Sequence, residues 1–295
     1  MFMKIPTKKL NDGFEMPVFG FGTWGIGGKS THDVENDDGR DIKSIQNALD
    51  EGITHIDTAE IYAGGYAEKL VGKAIKNYDR SKLFIVSKVS EDMSYNGIIN
   101  ACKKSLERLE TNYLDLYLLH NYNPDFSLAE QAKALDFLKS EGLIKNIGVC
   151  NFGKENLAEI QKCTKNKIVY NQVHYNLIFR EPELKGLLNY CQENDIFLGA
   201  WRPTQKGMLK EKMDLIEKLC QKYNKTPVQI AINWLISQKN VITLSKTNNL
   251  EHLKENLGTV GWQMDTEDIE LLRKEYPEQK ELSDAVALDV TIRRS

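Results

Sequence analysis

Cysteine is scarce in this sequence of 295 residues, and long apolar runs are absent from it. The five cysteines stand far apart and form no CxxC pair, which argues against a disulfide framework and favours reduced thiols. No window approaches the roughly 18 consecutive apolar residues that a membrane-spanning helix needs, and the first residues do not form a secretory signal. We therefore expect a cytoplasmic protein without a membrane partner.

Other absences narrow the function classes further. Lysine and arginine form no dense run and the net charge is -3, which argues against nucleic acid as a partner. The five histidines form neither an HExxH motif nor a cluster with cysteines, so no metal site is expected. GxSxG and P-loop motifs are also missing, which leaves serine hydrolases and nucleoside triphosphatases without support.

The sequence does contain a regular alternation of short apolar stretches with stretches of helical period. The strand candidates cover residues 18–23, 54–58, 83–88, 115–119, 146–150, 168–173, 196–200 and 241–244. The helix candidates cover residues 40–51, 67–76, 95–109, 128–140, 154–162, 182–193, 211–223, 227–238, 249–256 and 266–275. Residues 4–7 and 14–16 flank the turn signal Asn11-Asp12-Gly13 and predict an N-terminal hairpin.

Eight apolar strands, each followed by a helix, predict a parallel sheet with helices outside it. The even spacing of the repeats favours closure of the sheet. We therefore predict an α/β fold of the (β/α)8 TIM-barrel type, with an N-terminal β-hairpin and extra C-terminal helices. A doubly wound open sheet is the alternative. No linker or low-complexity tract interrupts the chain, so residues 1–295 are interpreted as a single barrel domain.

The stretch Gly20-Phe21-Gly22-Thr23-Trp24-Gly25 matches the GxGxxG fingerprint of dinucleotide-binding Rossmann units. In such a unit the third glycine lies in the opening turn of a helix. Here glycine and polar residues follow as far as Gly39, and nothing opens a helix. We therefore interpret the stretch as a strand end that runs into a loop, in which Trp24 can line a pocket.

Four polar residues stand at or just after the predicted strands: Asp57, Tyr62, Lys88 and His120. The chemistry of (β/α)8 barrels lies at the carboxyl ends of the strands, where these residues would meet. Tyrosine has an ordinary pKa near ~10, and a neighbouring ammonium lowers the pKa by stabilising the phenolate. Asp57 would hold Lys88 charged, and Lys88 would act on Tyr62. With His120 bonding a substrate oxygen, the set suits carbonyl reduction, in which a hydride reaches carbon while a proton reaches oxygen.

Taken singly, each of these residues has an ordinary structural explanation. A lysine and an aspartate at strand ends usually form a salt bridge, and a tyrosine there usually lies on the rim. A lone histidine is more often structural than catalytic. Four independent placements at one face of the barrel are difficult to explain by chance, so the combination favours a catalytic site.

The sequence resembles the aldo-keto reductase superfamily over essentially its whole length. The motifs that carry the resemblance are Gly52–Ala59 (GITHIDTA), Ser105–Leu109 (SLERL), Asp115–His120 (DLYLLH), Ile147–Phe152 (IGVCNF) and Asn171–Asn176 (NQVHYN). The resemblance implies that Tyr62 is the general acid and base and that Lys88 lowers its pKa. It also implies that Asp57 pairs with Lys88 and that His120 orients the substrate carbonyl. NADP(H) is the implied cofactor, and a small-molecule carbonyl is the implied substrate.

The same resemblance implies a cofactor site along the carboxyl ends of the strands. Asn151 and Gln172 match residues that hold the nicotinamide carboxamide, and Trp201 stands where an aromatic ring usually meets the nicotinamide face. Lys246, at the start of a short helix after the eighth strand, matches the lysine that meets the 2′-phosphate of NADP. The full implied set is Gly22, Thr23, Trp24, Cys150, Asn151, Gln172, Trp201, Arg202, Ser245, Lys246, Thr247, His252, Glu255 and Asn256.

Four positions depart from the family pattern. His252 stands where NADP-preferring relatives usually have arginine, and histidine cannot form the bidentate fork of arginine, so NAD(H) is a second candidate cofactor. Arg202 and Cys150 replace common serines, and Arg202 could contact phosphate or narrow the substrate mouth. Asn121 stands where some relatives have a pocket tryptophan, so the substrate site should be more polar or more open.

The predicted substrate pocket consists of Trp24, Tyr62, His120, Asn121 and Tyr122, with residues 283–290 at its edge. The short loop at residues 121–125 favours a shallow site for small or sugar-like carbonyls. Two other functions stay open: a Schiff-base aldolase with Lys88 as nucleophile, and a non-catalytic NADP-binding subunit that senses redox state. We expect a monomer or a weak homo-oligomer.

Overall fold

The structure, a computed structural model, describes residues 4–205, 214–276 and 279–290. Its strands are β1 Thr7–Lys9, β2 Glu15–Pro17, β3 Phe19–Gly22, β4 His55–Asp57, β5 Phe84–Val89, β6 Leu116–Leu119, β7 Ile147–Cys150, β8 Ile168–His174, β9 Phe197–Trp201 and β10 Val241–Ser245. Its helices are α1 Asp38–Asp50, α2 Tyr66–Ile75, α3 Tyr95–Leu109, α4 Leu128–Ser140, α5 Lys154–Cys163, α6 Glu181–Leu184, α7 Leu187–Glu193, α8 Asp214–Tyr223, α9 Pro227–Ser237, α10 Leu250–Leu257 and α11 Thr266–Glu275. Within these described ranges, no helix combines the length and the apolar character needed to cross a bilayer.

The strands from β3 to β10 form a closed parallel barrel. Each strand pairs with the next along the chain, and β10 pairs with both β9 and β3, which closes the ring. The predicted (β/α)8 barrel is therefore confirmed, and the alternative of an open doubly wound sheet is wrong. Because all eight strands are parallel, their carboxyl ends meet at one end of the barrel.

The N-terminal hairpin packs against the amino ends of the barrel strands. β1 and β2 pair in antiparallel fashion, as the turn signal predicted. Phe14 lies next to the first residues of two barrel strands, with ring centroids 6.1 Å from Phe84 and 5.9 Å from Phe197. Leu10 and Met16 join the same apolar cluster inside the barrel. The hairpin therefore covers this end of the barrel and leaves the carboxyl ends of the strands for chemistry.

Local sequence signals set most helix boundaries. Ser94 caps α3 by accepting a hydrogen bond from the backbone N–H of Gly97, and Thr226 opens α9 with a capping box. The single helix predicted at residues 182–193 is wrong: α6 and α7 are separate, because Gly186 adopts a left-handed φ of 68° between them. The first residues of the helix predicted at 211–223 lie outside the described residues.

The loop after β3 and the C-terminal segment both reach the carboxyl end of the barrel. No helix begins between β3 and Asp38, so the Gly20–Gly25 stretch is a strand end and a loop, as predicted. The C-terminal segment contacts the end of β7 through Asp289. The backbone N–H of Asp289 donates to the carbonyl of Asn151 at 2.9 Å, and its Oδ1 accepts from the N–H of Gly153 at 2.6 Å. Residues 283–290 therefore lie beside the candidate site.

Candidate active site

The four polar residues that the sequence predicted to form the site lie together at the carboxyl end of the barrel. Asp57 is the last residue of β4, Lys88 lies at the end of β5, and His120 directly follows β6. Tyr62 begins a short 3₁₀ turn five residues after Asp57. Their exposed fractions are 2% for Asp57, 9% for Tyr62, 0% for Lys88 and 8% for His120. The site is therefore a buried polar cluster rather than a surface salt bridge.

The ammonium of Lys88 makes three hydrogen bonds. Its Nζ donates to Asp57 Oδ1 at 2.6 Å, to the carbonyl oxygen of Thr58 at 2.8 Å and to the hydroxyl of Tyr62 at 3.2 Å. An ammonium has three N–H groups, so each has a partner. The lysine is thus fixed at full burial, with one of its protons directed at the phenol oxygen.

The charge of Lys88 follows from its partners. Burial alone would lower the pKa of Lys88, but the negative charge of Asp57 outweighs burial and raises the pKa above its usual range. Lys88 is therefore an ammonium at neutral pH. A charged amine suits the stabilisation of a phenolate and does not suit nucleophilic attack on a carbonyl.

The acidity of Tyr62 differs from the sequence-based prediction. Burial raises the pKa of Tyr62 to about 12, although the charge of Lys88 and its hydrogen bond act in the opposite direction. The predicted net decrease is therefore wrong, while the predicted direction of the lysine's contribution agrees with the structure. A phenol with this pKa is protonated at neutral pH, which is the state that a proton donor requires.

Two aromatic rings lie against Tyr62 at steep angles. The ring centroid of Trp24 is 5.1 Å away at an interplanar angle of 75°, and that of His120 is 5.7 Å away at 71°. Trp24 is 46% exposed, so its indole reaches from the phenol to solvent. The structure thus places Trp24 and His120 beside the phenol, where the sequence predicted the substrate pocket.

Gln172 has a contact that the sequence did not predict. Its Nε2 donates to Asp57 Oδ2 at 2.8 Å and to the hydroxyl of Tyr170 at 3.1 Å. Lys88 and Gln172 therefore hold the two carboxylate oxygens of Asp57 separately. The thiol of Cys150 faces Gln172 Oε1 at 3.9 Å. Alternation along β8 puts Tyr170 and Gln172 on one face, which was the available sequence signal.

Asn151 links the end of β7 to the loop after β6 and to the end of β9. Its Nδ2 donates to the carbonyl of His120 at 3.2 Å and to Asn121 Oδ1 at 2.8 Å. Its Oδ1 accepts from the indole N–H of Trp201 at 3.4 Å. Asn121 is buried and braces Asn151 by accepting the hydrogen bond from its Nδ2. Tyr122 packs edge-on against Phe152, with ring centroids 5.8 Å apart.

Trp201 ends β9, the seventh barrel strand, and Arg202 directly follows it. The Trp201 ring stacks on His174, with centroids 4.3 Å apart and an interplanar angle of 8°. The guanidinium of Arg202 lies 5.3 Å from the Trp201 ring centroid and 3.5 Å from the carboxylate of Asp284. Arg202 thus connects the end of β9 to the C-terminal segment.

Gly22 and Thr23 support the backbone next to Asp57. The backbone N–H of Thr23 and its hydroxyl both donate to the carbonyl of Asp57, at 3.0 Å each. A Cβ on Gly22 would lie 2.8 Å from Leu244 Cδ1, so a larger residue here would require the leucine side chain to move. These two residues fix the position of β4 in the barrel mouth.

The predicted phosphate loop follows β10 and leads into α10. Lys246 is exposed, and the half-buried Ser245 accepts a hydrogen bond from Asn256 Nδ2 at 3.1 Å. The side chain of Asn249 caps α10 by accepting from the N–H groups of Glu251 and His252, at 2.8 and 3.2 Å. Thr247 in turn accepts from the N–H of Asn249 at 3.1 Å. The remaining members of the predicted set, His252 and Glu255, lie on α10.

Comparison with known proteins identifies the family. The chain matches the sequence model of the Aldo/keto reductase family over residues 18–276. The chain belongs to this family. A glyoxal reductase of Bacillus subtilis is 35% identical over 267 residues, which cover 90% of this chain and 90% of that protein. The methylglyoxal reductase YeaE of Escherichia coli is 33% identical over 271 residues, which cover 90% of this chain and 93% of that protein.

Solved aldo-keto reductases have the same fold. The thermostable aldo-keto reductase Tm1743, solved with the inhibitor epalrestat, is 40% identical with a TM-score of 0.87. The match covers 90% of this chain and 98% of the Tm1743 chain. An aldo-keto reductase of Klebsiella pneumoniae, solved with NADPH, is 31% identical with a TM-score of 0.81. The match covers 95% of this chain and 98% of the Klebsiella chain. The predicted family and the prediction of an oxidoreductase are therefore confirmed, and the predicted cofactor agrees with the one bound by this relative.

In this aldo-keto reductase, Ser90 lies beside His120, and Glu60 holds the backbone of Ser90. Ser90 shares a hydrogen bond of 2.7 Å with His120 Nδ1. Glu60 Oε1 accepts from the backbone N–H groups of Ser90 and Glu91, at 2.5 and 3.0 Å. Neither residue was predicted from the sequence. Ser90 stands two positions after Lys88, so strand alternation would have put it on the face of the site.

Proposed function

We propose that this chain is an NADPH-dependent reductase of small aldehydes and ketones, with short dicarbonyls such as methylglyoxal and glyoxal as its best substrates. The contact that carries the proposal is the 3.2 Å hydrogen bond from the Lys88 ammonium to the Tyr62 hydroxyl at the barrel mouth. The names of the Escherichia coli and Bacillus subtilis relatives support the substrate class.

In this proposal Tyr62 donates its proton to the carbonyl oxygen as the alcohol forms. The phenolate that remains is stabilised by the Lys88 ammonium, which Asp57 keeps charged. His120 orients the carbonyl by a hydrogen bond to the same oxygen. NADPH, when bound, would supply the hydride for the carbonyl carbon.

The residues present fit such a cofactor. The side-chain oxygens of Asn151 and Gln172 can accept hydrogen bonds from the amino group of a carboxamide, whereas both N–H groups of each amide already have partners. Each amide also bonds a residue of the catalytic cluster. Asn151 donates to the backbone carbonyl of His120, and Gln172 donates to the carboxylate of Asp57. A nicotinamide held by these amides would therefore lie against the substrate site. Lys246 is an exposed cation after β10, where a phosphate would be held.

A substrate panel tests the proposal. Purified protein with NADPH is mixed in turn with methylglyoxal, glyoxal, an aldose and a bulky aromatic ketone, and the loss of nicotinamide absorbance is followed. We expect kcat/KM to be highest for the two short dicarbonyls. A preference for the bulky ketone would overturn the proposed substrate class, and the absence of turnover with all four, despite NADPH binding, would overturn the reductase assignment.

The two alternative functions receive less support. A Schiff-base aldolase needs a neutral Lys88, whereas the pKa of Lys88 is raised by Asp57. Borohydride trapping of a carbonyl substrate on Lys88 would revive that alternative. A redox-sensing subunit would bind NADPH with negligible turnover, and the same panel distinguishes it from an enzyme.

The preference for NADPH over NADH should depend on Lys246 and His252. We expect Lys246→Met to weaken NADPH binding by about 10- to 100-fold, because a charged hydrogen bond to the 2′-phosphate is lost. NADH binding should change little, since NADH lacks that phosphate. His252→Arg should strengthen NADPH binding selectively, because arginine adds a bidentate contact. Quenching of tryptophan fluorescence measures both affinities, and equal effects on NADPH and NADH would contradict the assignment.

A further inference from the structure

The imidazole of His120 has a hydroxyl partner on its Nδ1. The 2.7 Å contact joins Ser90 Oγ to this nitrogen, and His120 itself is 8% exposed. The two nitrogens of a neutral imidazole differ, because one carries the proton and the other accepts hydrogen bonds. The partner of Nδ1 therefore contributes to the choice of the nitrogen that carries the proton.

We propose that Ser90 is a positioning residue that selects the tautomer of His120. A carbonyl oxygen can only accept hydrogen bonds, so His120 must present an N–H group to it. Since Nδ1 is engaged by Ser90, the group that meets the substrate is Nε2. The Ser90 hydroxyl can donate to Nδ1, which leaves the proton on Nε2. A backbone carbonyl or a carboxylate in the same place could only accept, and it would draw the proton to Nδ1.

Glu60 fixes Ser90 for this task. The carboxylate oxygen Oε1 of Glu60 accepts from the N–H groups of both Ser90 and Glu91, so it clamps the backbone that follows β5. Glu60 also stands two residues before Tyr62 on the loop after β4. The Glu60 side chain therefore connects the loop that carries Tyr62 to Ser90, the residue that orients His120.

The inference rests on the proposed function for its kinetic consequences, but its structural content can be tested alone. Two-dimensional ¹⁵N–¹H correlation spectra of the histidine side chains show which ring nitrogen carries a proton. The His120→Asn variant identifies the signals of His120. We expect the proton on Nε2 in the wild-type protein and a mixture of tautomers in Ser90→Ala. A wild-type proton on Nδ1, or an identical spectrum in Ser90→Ala, would overturn the inference even if the protein reduces carbonyls.

Three substitutions of Ser90 test the kinetic consequences. Ser90→Ala should lower kcat/KM for methylglyoxal by about three- to tenfold, as expected for the loss of one neutral hydrogen bond. NADPH affinity should stay unchanged. Ser90→Thr keeps the hydroxyl and should restore activity. Ser90→Asp should lower kcat/KM further than alanine, because a carboxylate draws the proton to Nδ1.

A matched control separates this role from a merely structural one. Ser140→Ala removes an exposed hydroxyl that donates to the carbonyl of Phe137 in its own helix. It should leave the His120 signals and the kinetics unchanged. Equal loss of activity in the alanine and threonine variants of Ser90 would contradict tautomer selection, and melting curves of each variant verify that the fold is intact.

Discussion

Tyr62→Phe is expected to lower kcat for methylglyoxal reduction by about 10²- to 10⁴-fold, the range usual for removal of a general acid. The variant keeps the ring between Trp24 and His120 but has no proton to give. NADPH affinity should remain within about twofold, because none of the groups assigned to the cofactor is changed. Steady-state kinetics and fluorescence titration measure the two quantities.

The control for this variant is Tyr95→Phe. Tyr95 lies on α3 outside the barrel, where its ring packs near Phe137 with centroids 6.3 Å apart. It should retain wild-type kcat. If Tyr62→Phe retained turnover as well, another group would have to donate the proton, and the assignment of Tyr62 would be wrong.

Lys88→Met is expected to abolish activity and also to destabilise the protein. The substitution leaves the carboxylate of Asp57 buried without its ammonium, and breaking a buried pair in this way typically costs about 3–5 kcal/mol of unfolding free energy. Asp57→Asn should destabilise for the converse reason, because it leaves the Lys88 ammonium without its counter-charge. Urea unfolding of each variant measures the loss.

The double variant Asp57→Asn with Lys88→Met separates stability from catalysis. Removing both charges together should restore much of the unfolding free energy, since replacing a whole buried pair is often nearly neutral. Activity should stay as low as in Lys88→Met, because nothing stabilises the phenolate. Recovery of turnover together with stability would mean that the pair is only structural.

Much of the fold was predictable because local signals agreed with the tertiary structure. The predicted helix at residues 95–109 matches α3, which has a regular apolar face and a serine cap. The helix predicted at 182–193 failed because one left-handed glycine, Gly186, splits it. A glycine within a helical pattern is compatible with either outcome, so periodicity alone could not decide.

The catalytic cluster was predictable in its members but not in its energetics. Strand ends of a parallel barrel meet, so Asp57, Lys88 and His120 had to lie near one another. Whether burial or the ammonium controls the pKa of Tyr62 depends on the packing around the phenol, which the sequence does not contain. Likewise, the contact of Gln172 with Asp57 depends on a side-chain rotamer across the barrel, 115 positions away in the chain.

The central claim is that the ammonium of Lys88 makes the phenol of Tyr62 more acidic than burial alone would allow. An ultraviolet difference titration measures this directly. The phenolate absorbance of each protein is recorded after rapid pH jumps, and that of the corresponding Tyr62→Phe variant is subtracted. In the wild-type protein the Tyr62 signal should be absent at neutral pH and emerge as the pH approaches about 12. In the Asp57→Asn, Lys88→Met double variant it should emerge at a higher pH. A signal that emerges at the same pH in both proteins, or earlier in the double variant, would contradict the account.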